Sequence, residues 1–137
     1  MKHNWNNLDN YLSVHANIMH KYFQIYPQFE RISHNRIMLR YNALNLTTIK
    51  NTNIEIYVLK TAAINQVNNM EIARTIEYRY HAKFQNGGNI LRYCSPHDHR
   101  PYHHKHIYSQ NVKTTVTIPD DTWPHFSEFL DEIINTY

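Results

Sequence analysis

The chain holds one cysteine, Cys94, in 137 residues. A lone thiol closes no internal disulfide, and without cysteine pairs there is no zinc ribbon. Nothing therefore points to an oxidising compartment. Glycine is nearly as scarce, with only Gly87 and Gly88, so a glycine-rich phosphate loop is excluded. Long apolar runs are also missing. The N-terminal stretch MKHNWNNLDNYLSVHANIMHKYF carries neither a signal-peptide core nor a membrane span, and the expected location is the cytoplasm, with no membrane partner. No serine or cysteine nucleophile motif, notable carboxylate pair or internal repeat is present.

What remains is mildly basic and rich in tyrosine and histidine. The formal charge is +3 with histidines neutral, and there are 11 tyrosines and 11 histidines. Imidazoles titrate near neutrality, so the charge rises steeply below about pH 7. A basic, aromatic surface is compatible with nucleic acid. The length suits a single domain, residues 1–137, with a real core.

Apolar residues at Trp5, Leu8, Leu12, Ile18, Met19, Tyr22 and Phe23 predict a helix over 5–26. Asn6 or Asn7 would cap it, and Pro27 would end it. RIMLRYNALNLTTI and NIEIYVLKTAAI read as strands, with a turn at 51–53. Arg74 to Phe84 alternates: Ile76, Tyr78, Tyr80, Ala82 and Phe84 face one way, and Glu77, Arg79, His81 and Lys83 the other. Asn86-Gly87 signals a hairpin back into NILRYC. A two-residue turn there would oppose Phe84 to Asn89, Ala82 to Leu91, His81 to Arg92 and Tyr80 to Tyr93. Strand character resumes from about His104 and runs to Ile118, and a last helix carries Phe126, Phe129, Leu130, Ile133 and Ile134, capped from Asp120, Asp121 or Thr122. The expected fold is α+β: an N-terminal helix, an antiparallel sheet of about five strands, and a C-terminal helix packed on one face.

Ser95 to Tyr108, SPHDHRPYHHKHIY, contains five histidines, a run that no core-packing argument requires. Three chemistries compete for it. As a metal site it would use His97, His99, His104 and His106, since transition metals take imidazole readily, although only Asp98 is near to support such a shell and Arg100 and Lys105 would repel an ion. As an acid–base site it would act on phosphate: one base, one acid and one cation suffice to cleave RNA without a metal or other cofactor. In that reading His81, His104, His106 and Lys105 are catalytic, and Arg79, Lys83, Arg92, His103 and Tyr108 bind substrate or phosphate. As a solvated polar face it would do neither, which suits Arg79, Lys83 and Arg92 better than it suits the histidines. His3, His15, His20, His34 and His125 read as structural or surface groups, and Cys94 as a small buried hydrophobe.

These residues resemble a family. Tyr78-Arg79-Tyr80-His81, then Arg92-Tyr93-Cys94-Ser95-Pro96-His97, then Tyr102-His103-His104-Lys105-His106 are similar to signatures of the TumE-like toxins of bacterial and archaeal toxin–antitoxin systems. About 35 residues carry the likeness. Cys94-Ser95 stands where that pattern has Asp-Asn, and Asp98 interrupts its His-His pair. The resemblance implies a growth-inhibiting toxin neutralised by a cognate antitoxin, often a helix-turn-helix protein. A ribonuclease acting on an RNA substrate is the activity the site chemistry suggests. A binding module without catalysis is the alternative, and a homodimer stays open.

Overall fold

A computed structural model describes residues 3–45, 53–110 and 112–137. The elements are β1 (Asn6–Asn7), α1 (Leu8–Phe23), β2 (Phe29–Ser33), β3 (Arg36–Asn45), β4 (Ile54–Val67), β5 (Met70–Phe84), β6 (Asn89–Cys94), β7 (His104–Ser109), β8 (Val112–Thr117) and α2 (Phe126–Thr136). Most of the turn expected at 51–53 lies outside the described residues.

α1 begins where Asn7 turns its side-chain oxygen onto the backbone amides of Asp9 and Asn10, at 2.9 and 3.3 Å. It stops at Gln24, whose left-handed φ of 56° ends the helix three residues before Pro27. The helix is therefore shorter than the apolar periodicity suggests. α2 also starts later than expected. Thr122 closes a turn onto the Pro119 carbonyl, and His125 takes the cap position, its amide donating to the Glu128 carboxylate at 2.9 Å.

The strands form one antiparallel meander in the order β2-β3-β4-β5-β6-β7-β8, with β1 added beside the start of β5. The α+β class and the two terminal helices match expectation, but the sheet has eight strands rather than five. Three features account for the difference. Ser109-Gln110 bends the last expected strand into the β7–β8 hairpin, with Gln110 at φ 49°. The short, exposed β2 adds itself to the edge of β3. β1 pairs residues 72 and 73, beyond the reach of β6. β4 and β5 also run longer than expected, because Asn68 and Asn69 both adopt positive φ, 51° and 64°, and make the two-residue turn that suits twisted strands.

Both helices cover the same face of the sheet. Tyr80 is fully buried and packs on Phe126 and Phe129, with ring centroids 5.3 and 5.6 Å apart. Met19, Tyr22 and Phe23 of α1 join Ile54, Ile56 and Val58 in the same cluster. Lys60 is buried beneath α1 as well, where its ammonium donates to His15 Nε2 at 2.8 Å while His15 Nδ1 donates to the Tyr11 carbonyl. Desolvation pulls the lysine from its ordinary 10.5 down to about 7, and burial with the nearby Lys60 charge takes His15 to about 3. Near the β7 end, Trp123 stacks on Tyr78 and His103, with centroids 4.4 and 5.5 Å away. Among the described residues no helix is long and apolar enough to cross a membrane.

Candidate functional site

The opposite face of the sheet is polar, and strand pairing sets its layout. His81 pairs with Arg92 and Arg92 with His106; Arg79 pairs with Cys94 and Cys94 with His104. Side chains alternate along a strand, so all six residues project from the face that the helices leave uncovered. Arg40 and Tyr57 extend it on one side, by the pairings Arg40 with Leu59 and Tyr57 with His81. Thr115, Thr117 and Lys113 extend it on the other, opposite His106, His104 and Tyr108.

The expected pairs Ala82–Leu91, His81–Arg92 and Tyr80–Tyr93 are all present, but the turn that leads to them differs. Phe84 N–H donates to the Gly88 carbonyl at 2.7 Å and Gly87 N–H to the Phe84 carbonyl at 2.9 Å. The loop thus has three residues, 85–87, with Gly87 at φ +99°, a conformation that glycine takes at little cost. Phe84 then faces Gly88 rather than Asn89, and Lys83 faces Asn89. Ile90 is an extra residue in the ladder, a bulge that restores the register one step on. It also explains why the consecutive Ile90 and Leu91 are both buried.

The same alternation divides HHKH between the two faces. His104 and His106 enter the polar face. Lys105 pairs with Tyr93 on the helix side, its ammonium 5.8 Å over the Tyr93 ring. His103 is also on the helix side, stacked on Trp123, with its Nδ1 2.9 Å from the Tyr78 hydroxyl. Lys105 and His103, expected to act with His104 and His106, are therefore separated from them by the sheet, and Arg92 is the cation in their place. Tyr108 stays with the polar face, its ring 6.5 Å from His106. Lys83 leans over Tyr57, its ammonium 5.2 Å from the ring centroid.

Residues 97–100 form a tight turn closed by His97 N–H to Arg100 O at 2.9 Å and Arg100 N–H to His97 O at 2.8 Å. His99 is exposed at its tip, whereas His97 reaches His104, Nε2 to Nε2, at 3.4 Å. His104 and His106 are buried, at 0% and 2% exposure. The Tyr102 carbonyl accepts from His104 Nδ1 at 3.0 Å, and His106 Nδ1 meets Thr115 Oγ1 at 2.9 Å. Of the four imidazoles expected at a metal, the structure brings His104 and His106 into one group and sets His97 beside His104.

It adds Cys94, whose sulfur lies in one cluster with ligand atoms of His104 and His106, all within 4.8 Å of one another. Sequence reasoning set this cysteine aside because of its residue type. Its parity with Arg92 on β6 already assigned it to the polar face.

No family model, curated protein or solved structure matches the chain.

Burial lowers the affinity of His81 for a proton, and the charges of Arg92, Lys83 and Arg79 add to that effect, against the hydrogen bond that His81 donates to Asn89. His81 Nε2 donates to the Asn89 amide oxygen at 2.9 Å, so in the neutral ring Nδ1 is the basic atom. His106 falls to about 4, chiefly through burial and then through Arg92 and His104. Burial also lowers His104, while His97 and Arg100 add positive charge nearby. Cys94 is raised by burial, against the pull of Arg92 and Arg79. Among the described residues the buried Arg92 Nε has no hydrogen-bond partner, an unused donor beside the cluster. The face thus offers guanidinium donors and neutral imidazoles, and among the described residues no carboxylate belongs to its histidine–cysteine cluster.

Proposed function

We propose that the chain is an RNA-directed toxin of the toxin–antitoxin kind, a ribonuclease that cleaves by histidine acid–base chemistry without a metal. One observation supports this above the others: the strand register sets Arg92 between His81 and His106 on a single face. A guanidinium flanked by two imidazoles is the donor set that phosphodiester cleavage needs. Arg92 holds the phosphate, with Arg79 and Arg40 along the backbone path. His81 Nδ1 takes the 2′-hydroxyl proton as the 2′-oxygen attacks phosphorus, and His106 in its protonated form gives its Nε2 proton to the 5′-oxygen as the P–O5′ bond breaks. Tyr57, between Glu55 and Leu59 on the same face, offers a ring for an unpaired base. A cognate antitoxin of helix-turn-helix type, as the family resemblance implies, would neutralise the protein by covering this face.

The test is cleavage of single-stranded RNA by the full chain in excess chelator. Arg92→Ala and His81→Ala should each lower the rate by about 10²-fold or more, while Lys105→Ala should leave it near wild type. RNA left intact by wild type across a range of substrates and pH would refute the catalytic assignment.

A second reading is a face that binds RNA or antitoxin without cleaving, and the burial of His104 and His106 favours it. It predicts full growth arrest by His81→Ala, together with weaker RNA binding by Arg79→Ala and Arg92→Ala.

A further inference from the structure

Cys94, His104 and His106 bring a sulfur and two imidazole nitrogens within 4.8 Å of one another, and all three residues are buried. Thiolate with imidazole suits zinc and its neighbours, and excludes calcium and magnesium, which require oxygen. The outer contacts orient the rings for this task. A carbonyl can only accept, so the bond to Tyr102 O puts the proton of His104 on Nδ1 and leaves Nε2 with its lone pair. Thr115 Oγ1 holds His106 by the same atom. Metal-bound histidines are anchored in this way, through the nitrogen that does not bind the ion.

His97 stands outside this three-residue group but next to one of its members. His97 Nε2 and His104 Nε2 are 3.4 Å apart, long for a hydrogen bond between rings. Two nitrogens on a tetrahedral zinc with bonds of about 2.05 Å lie roughly 3.3 Å apart.

We infer that Cys94, His104 and His106 bind a transition-metal ion of the zinc class, with His97 as the fourth ligand. Two ligands come from β7 and one from the end of β6, while His97 belongs to the turn beyond β6. The ion would tie that turn to the sheet. The inference does not depend on RNA cleavage. Where both hold, the bound ion occupies the lone pairs of His104 and His106 and turns the acid–base chemistry off, so that the metal-free protein is the active form.

Cobalt(II) titrated into chelator-treated, dialysed full-length protein tests the assignment. One equivalent should produce the near-ultraviolet thiolate-to-cobalt band and the intense visible bands of tetrahedral coordination, and zinc should abolish both. Because the chain has one cysteine, the thiolate band can only come from Cys94. It should vanish in Cys94→Ser, and His106→Gln should lose stoichiometric binding. His97→Ala alters an exposed turn and keeps the fold, so it serves if the buried variants do not fold. It should weaken cobalt binding at least tenfold, and His99→Ala should leave it unchanged. Absence of the thiolate band at stoichiometric cobalt, or a band that survives in Cys94→Ser, overturns the site. Wild-type affinity in His97→Ala overturns the fourth ligand. RNA cleavage in chelator is read separately, so either proposal can fail alone.

Discussion

Replacing Lys60 with methionine should make the protein more stable at neutral pH and less stable in alkali. Lys60 is 3% exposed, and among the described residues its hydrogen bond is to the neutral ring of His15. Burial moves its ammonium from 10.5 to about 7. The unfolded chain therefore keeps the lysine proton between pH 7 and 10.5 while the folded chain has released it. Wherever the unfolded state binds more protons, stability rises with pH, here by up to 1.36 kcal/mol per pH unit. The full interval corresponds to roughly 5 kcal/mol of destabilisation at pH 7, relieved as the pH approaches 10.5. Methionine removes the titration but leaves His15 Nε2 without its donor, at a cost of about 1–3 kcal/mol. The net gain at pH 7 is then roughly 2–4 kcal/mol. By pH 10 wild type recovers most of its deficit, and the two stability curves cross. Denaturant unfolding of wild type and Lys60→Met at pH 7, 8, 9 and 10 measures this. Tyrosine and cysteine titrations are common to both proteins and cancel in the difference. A difference that stays constant across this range would show that the buried amine does not titrate there and would refute the reasoning.

Other outcomes follow from single contacts. Tyr80 buries its hydroxyl with no hydrogen-bond partner among the described residues, so Tyr80→Phe should be neutral or stabilising by about 1 kcal/mol in denaturant melts; a clear loss would mean the hydroxyl has a partner. Asn69 turns at φ 64°, where a β-branched residue is strained, so Asn69→Val should cost about 1–2 kcal/mol while Asn69→Gly is tolerated. Arg79→Ala and Arg40→Ala should weaken RNA binding alike for all sequences and flatten its salt dependence by about one charge each; unchanged salt slopes would remove this face as the RNA-binding surface.

The hairpin of β5 and β6 shows how far sequence reasoning reaches. Alternation from Tyr78 to Phe84 and the Asn86-Gly87 signal gave the right partners for Tyr80, His81 and Ala82, yet the turn behind them was read one residue short. The Ile90 bulge cancels that error, and a bulge has no clear signature when the extra residue is simply one more apolar side chain. Parity likewise contained the division of HHKH and the side chosen by Cys94. Both were missed because residue type was weighed ahead of position. β2 was illegible for another reason: FERIS is short and mostly exposed, and it pairs only because β3 presents an open edge. The approach of His97 to His104 depends on a loop turn, and no strand periodicity foretells it.

His103 and His104 are chain neighbours whose rings lie on opposite sides of the sheet, one stacked 5.5 Å from Trp123 and the other in the histidine–cysteine cluster. A protonated imidazole quenches indole emission, and small shifts of a stacked ring change that quenching. The fluorescence of Trp123 is thus a built-in optical gauge of its surroundings. With Trp5 replaced to leave a single emitter, binding at one face can be followed in real time by light from the other, without any attached dye.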